Sequence, residues 1–128
     1  MRQHPRLDVD RPCNVELPGH RTMGARLLNV SMGGVGLETV SPMAGDGPFT
    51  LILVHGGAEL RLPCEVRHLR DVWSRQMIHA EFARLSPDEY LAVERFIEDI
   101  VVEQNLPSPR SLWRRMRERI GGARPAVL

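Results

Sequence analysis

Apolar and polar residues alternate in short runs along most of the first 82 positions, and then the period changes. Asn14 to Leu17 reads as a first strand, closed by Pro18-Gly19. Ala25 to Val30 reads as a second, and Val35 to Thr39, entered through Gly33-Gly34, as a third. Phe49 to Val54 is almost wholly apolar and ends at the turn His55-Gly56-Gly57. The clearest alternation follows: Leu60, Leu62, Cys64, Val66 and His68 interleave with Glu59, Arg61, Pro63, Glu65 and Arg67. That pattern puts His68 on an apolar face as a hydrogen-bonded core histidine. Pro63 lacks a ladder donor, so an edge strand or bulge is expected there. Gln76 to Phe82 makes a sixth strand. Close-set strands without intervening helices predict a barrel or a sandwich.

At Ser86-Pro87-Asp88-Glu89 the signals switch to helix. Ser86 can cap, Pro87 suits the first helical position, and Glu89 completes a capping box. Val93, Phe96, Ile97, Ile100 and Val101 form an apolar stripe that Tyr90 extends backwards, and the helix is expected to end near Asn105. Ser108-Pro109 opens a shorter helix with Leu112, Trp113, Met116 and Ile120 on one side and arginines around much of the rest. Residues 1–12 are polar and bounded by proline, and read as an extended leader outside the core. The expected organisation is a domain over 1–105 and a basic amphipathic tail over 106–128.

Charge sharpens that division. The 128-residue chain holds 17 basic and 16 acidic residues, and every basic residue is arginine. The absence of lysine excludes Schiff-base and P-loop lysine chemistry. From Arg110 onward six arginines face Glu118, a charge of +5; the rest carries eleven arginines against fifteen acids, or −4. The near-neutral total argues against general nucleic-acid binding by the whole chain. The tail could dock on the barrel, on a protein partner or, through Arg110 to Arg124, on an anionic membrane surface; docking or partner contact is favoured over the membrane. Cys13 and Cys64 lack CxxC spacing and read as reduced core residues. No apolar run reaches a membrane span and the first residues are polar, so a cytoplasmic location is expected.

No enzyme constellation emerges. Gly33-Gly34-Val35-Gly36 is not flanked by a strand-loop-helix unit, and His55-Gly56-Gly57 has no GxSxG elbow to serve. The histidines lack ligand spacing, so no metal site is expected. Two short motifs remain. Arg2-Gln3-His4-Pro5-Arg6 is an RxxxR spacing, which in an extended chain puts both arginines on one side, roughly 13 Å apart. Asn29-Val30-Ser31-Met32-Gly33-Gly34 is an NxSxxG spacing, presenting an amide and a hydroxyl on the same face of a strand. Solvated leader charges and a strand-end turn would account for either motif taken alone.

In this order, with 22 residues between the motifs, then Val35-Gly36-Leu37, strands and a helix opened by Leu-Ser-Pro-Asp-Glu, the chain resembles the PilZ domain family over roughly residues 1–104. The resemblance implies a six-stranded antiparallel β-barrel with a packed C-terminal helix, to which the short basic tail helix is added. It implies a cytoplasmic, non-catalytic bacterial receptor for the second messenger cyclic di-GMP, without cofactor. It assigns Arg2 and Arg6 to the ligand's phosphates and guanine edges, Asn29 and Ser31 to a guanine, and Gly34 to making room for the base. Arginine suits that ligand because it pairs with guanine O6 and N7, pairs with phosphate, and stacks on bases. Arg67, Arg70 and Arg75 are accessory stacking candidates. The chain departs from the family pattern at His79, where a glycine is usual, at Asn29, where aspartate is frequent, and in the single residue ahead of Arg2. The expected mechanism is a leader that clamps the dinucleotide and presents a new surface to a protein partner. The alternative is a PilZ-like adaptor that binds proteins without nucleotide.

Overall fold

A computed structural model of the chain describes residues 5–42 and 47–104. Six strands, β1 (Leu7–Leu17), β2 (Arg21–Val30), β3 (Gly34–Thr39), β4 (Pro48–His55), β5 (Ala58–Val72) and β6 (Arg75–Phe82), precede one helix, α1 (Pro87–Gln104). The strands close into an antiparallel barrel in the order β1-β2-β3-β6-β5-β4. Alternate residues of each strand point inward: Val15, Leu27, Val35, Leu37, Leu51, Leu53, Leu62 and Ile78 are all buried. The two-residue β4–β5 connection has positive φ at both Gly56 (61°) and Gly57 (78°), the geometry that lets a hairpin follow the strand twist.

β1 begins at Leu7, not near Cys13. Half of the expected leader is therefore a barrel strand, in which Leu7 pairs with Val30 and both Leu7 and Val9 pack on the core. β4 pairs only with Asn14 to Glu16, so the first half of β1 lies beyond the β4 ladder. Helix α1 lies along that stretch instead. Gln104 donates to the backbone carbonyl of Asp8, and Arg11 bonds Glu103 at 2.8 Å. Arg11 also lies 5.4 Å from the Phe96 ring centroid and 3.2 Å from Nδ1 of His55. Since a guanidinium only donates, that nitrogen of His55 accepts, and Nε2–H donates to Asp99 at 2.8 Å.

The capping box is present. Ser86 N–H donates to Glu89 Oε1 at 2.7 Å, and Glu89 N–H donates to Ser86 Oγ at 3.1 Å. The helix buries Val93, Phe96 and Ile100. Tyr90 does not extend that stripe; it is exposed. Pro63 stands at neither an edge nor a bulge. Its carbonyl accepts from Ala83 N–H, so its missing donor points to the same side, just past the Cys64–Phe82 pair where β6 ends. The bulge falls instead between Val66 and His68. That extra residue reverses the inward-outward parity, so Leu69 packs on the core and His68 faces outward, exposed, contrary to the uninterrupted alternation. The basic tail lies outside the described residues.

Candidate functional site

The outward parity of four strands sets up one row of side chains. Asn29 on β2, Gly36 on β3, His79 on β6 and His68 on β5 are successive cross-strand partners. Arg6, just ahead of β1, sends its guanidinium to Nε2 of His79. Arg70 and Met77 occupy the next row. Together with Leu28, Leu37, Leu69 and Ile78 these residues line an open cavity of about 540 Å³, within the usual range for small-molecule sites. The His68 and His79 rings are parallel to within 4°, with centroids 5.9 Å apart.

Gly36 is the low point of this wall. A Cβ there would meet the side-chain amide of Asn29 at 2.4 Å, so the glycine is what allows Asn29 to lie across β3. Gly34 behaves differently. A Cβ on it would stand 2.1 Å from the carbonyl oxygen of Ala80, on β6. Its missing side chain brings two strand backbones together, and it is not among the residues lining the cavity. Ser31 does not line it either. Its buried Oγ accepts from Gly33 N–H at 3.0 Å and Gly34 N–H at 3.2 Å, closing the β2–β3 turn.

The cavity's charge is basic. Arg70 has no carboxylate partner in the described residues' ion pairs, whereas Arg67 is bonded to Glu81 at 2.6 Å and Arg75 to Glu38 at 3.1 Å. Both of those pairs are solvent-exposed on the arginine side, where an ion pair contributes little, about 0–1 kcal/mol, and exchanges readily. Among the described residues no group of three or more histidine, cysteine or acidic side chains could hold a metal ion, and no helix is long and apolar enough to cross a membrane.

A family model, described as PilZ domain, matches residues 1–99. The chain belongs to the PilZ domain family. Solved structures of the same fold agree with the barrel. The PilZ domain of YcgR from Escherichia coli, solved with c-di-GMP, is 19% identical at a TM-score of 0.63, covering 92% of this chain and 95% of that one. The K. pneumonia MrkH–c-di-GMP complex gives 17% identity and a TM-score of 0.67, covering 81% and 54%. The PilZ domain of CeSA from a cellulose-synthesizing bacterium gives 20% and 0.61, covering 75% and 97%. This PilZ chain spans about half the length of some neighbours, 54% of MrkH and 52% of the Bacillus subtilis inhibitor of motility MotI. A comparison with curated proteins finds no sequence match.

Of the expected site residues of this PilZ domain, Arg6, Asn29 and Arg70 converge on the cavity, and Arg2 lies outside the described residues. Gly36, His68, Met77 and His79 also line the cavity and were not among the residues expected from the sequence. Gly36 stands two positions after Gly34 on the same outward face, a period-two signal present in the sequence. His68 could not be placed without the bulge.

Proposed function

We propose that this PilZ domain is a cyclic di-GMP receptor and that the dinucleotide binds in the cavity over the Asn29-Gly36-His79-His68 row. The observation that carries the reading is the convergence of Arg6 and Asn29 on one basic cavity, although 22 residues separate them in sequence. A cyclic dinucleotide offers two phosphates and two purines. Arg6 supplies donors for a guanine edge or a phosphate, and Arg70 a second cation and stacking plane. Asn29 presents an amide to a guanine, over a wall that Gly36 keeps low. Arg2 provides a second arm from the leader. Ser31 and Gly34 act at one remove, by holding the β2–β3 turn and the β3–β6 approach that support Asn29.

The signal follows from the neighbours of Arg6. The leader runs directly into β1, where the Asp8 carbonyl and Arg11 are tied to Gln104 and Glu103 at the end of α1. Ligand contact through the leader therefore bears on the C-terminal end of α1 and, through it, on a protein partner. The domain carries out no chemistry on the ligand. The adaptor reading draws support from Trp73, which is 99% exposed at the β5–β6 turn, a large apolar surface available to a protein.

Calorimetric titration with cyclic di-GMP tests the proposal. Saturable binding by the wild-type chain, weakened about ten- to a hundred-fold in Arg6→Ala, is expected. Equal affinity of wild type and Arg6→Ala would remove the clamp, and no heat with either would leave the adaptor reading.

A further inference from the structure

His79 occupies an unusual place in the cavity. It is central in the cross-strand row, between Gly36 and His68, and its Nε2 meets the Arg6 guanidinium although β6 lies three strands round the closed barrel from β1. A guanidinium carries only donors, so this nitrogen must present its lone pair, which puts the imidazole proton on Nδ1. The parallel His68 ring beside it restricts the plane in which that lone pair points. The contact does little for the core, because both residues stand on the outer wall. Its effect falls on Arg6, a long side chain just outside the first strand that otherwise samples many rotamers.

We propose that His79 is a positioning residue for ligand recognition: it holds the Arg6 guanidinium over the cavity, with one N–H committed to the imidazole and the remaining donor edge turned toward an anionic or purine acceptor of the ligand. The inference rests on the cyclic di-GMP reading of this cavity. Binding a dinucleotide with a freely rotating arginine costs rotamer entropy at the moment of binding. An arginine already held by an internal acceptor loses less, and its affinity contribution rises accordingly. His79 thus acts through Arg6, and His68 acts one step further back by fixing the ring of His79. The other charged groups around the pair leave this arrangement intact: Arg70 faces it from β5, Glu81 from β6 is held by Arg67, and Glu38 from β3 is held by Arg75.

A double-mutant cycle in calorimetric titrations with cyclic di-GMP tests it, on the full chain with folding checked by circular dichroism. His79→Ala is expected to weaken binding about ten-fold in the wild-type background and by less than about two-fold in the Arg6→Ala background. His79→Gln, whose amide oxygen can accept from Arg6, is expected to recover most of the loss. An equal loss from His79→Ala in both backgrounds, or no loss in either, would overturn the positioning role while leaving the receptor reading standing. A wild-type chain that binds no cyclic di-GMP at all overturns both.

Discussion

Alanine at Gly34 separates two roles that the NxSxxG spacing alone would assign to the same residue. The added Cβ would lie 2.1 Å from the Ala80 carbonyl oxygen and 3.0 Å from Glu81 Cα. Both are backbone atoms, so no side-chain rotation relieves the overlap, and β3 and β6 must part by about 1 Å to restore an ordinary contact. Overpacking of this kind costs about 1–3 kcal/mol. The separation also strains two neighbouring hydrogen bonds, Ser31 N–H to the Gly34 carbonyl at 2.9 Å and Phe82 N–H to the Gly33 carbonyl at 3.0 Å. Each contributes about 1 kcal/mol. Alanine's smaller unfolded-state entropy offsets about 0.4–1 kcal/mol. The net loss is about 2–4 kcal/mol, a large part of a typical domain's stability. In urea denaturation, with a slope of about 1.5 kcal/mol/M, the midpoint should fall by about 1.3–2.7 M. A Gly34→Ala chain that unfolds within about 0.3 M of wild type, yet loses cyclic di-GMP binding, would refute the structural account and return Gly34 to direct contact with the base.

Other outcomes follow from neighbouring groups. Gly36→Ala should leave the denaturation midpoint within about 0.5 M of wild type but weaken cyclic di-GMP binding about ten-fold in a titration, because the clash is with the movable amide of Asn29 rather than with backbone. Burial pushes the Cys13 and Cys64 thiols up from 9.0 to about 12. The unfolded chain then ionises first as pH rises, so stability is fully present below about pH 9 and falls between there and about pH 12; denaturation midpoints measured at about pH 8 and 10.5 should differ accordingly, and a flat profile would contradict it. Arg11→Ala removes the Glu103 ion pair, the His55 bond and the cation over Phe96 together. A loss of about 1–2 kcal/mol is expected in thermal or urea unfolding, with the α1 end exchanging its amide hydrogens faster.

What the chain revealed in advance was local. The capping box at Ser86 and Glu89 needs only four consecutive residues, and it formed where the spacing placed it. The strands from β2 to β6 carry their alternation within themselves. What stayed hidden was set by partners far along the chain. Leu7 and Val9 alternate, but between Pro5 and Pro12 that pattern is too short to read as a strand. It becomes one because β2 pairs with it and α1 covers its other side. The outward turn of His68 depends on a bulge against β6, which no residue type near it announces. The NxSxxG spacing marked Asn29, Ser31 and Gly34, but only the β3–β6 register separates the glycine pressed on Ala80 from the one under Asn29.

The most direct measurement is an amide and side-chain NMR titration of the chain with cyclic di-GMP. Saturable shifts centred on Asn29, Gly36, His68, Arg70 and His79, with Arg6 among them, are predicted. Binding whose shifts fall instead on the opposite groove between the β4–β5 turn and α1, around His55, Leu60 and Leu91, would contradict the site, and an unchanged spectrum would contradict the receptor function itself.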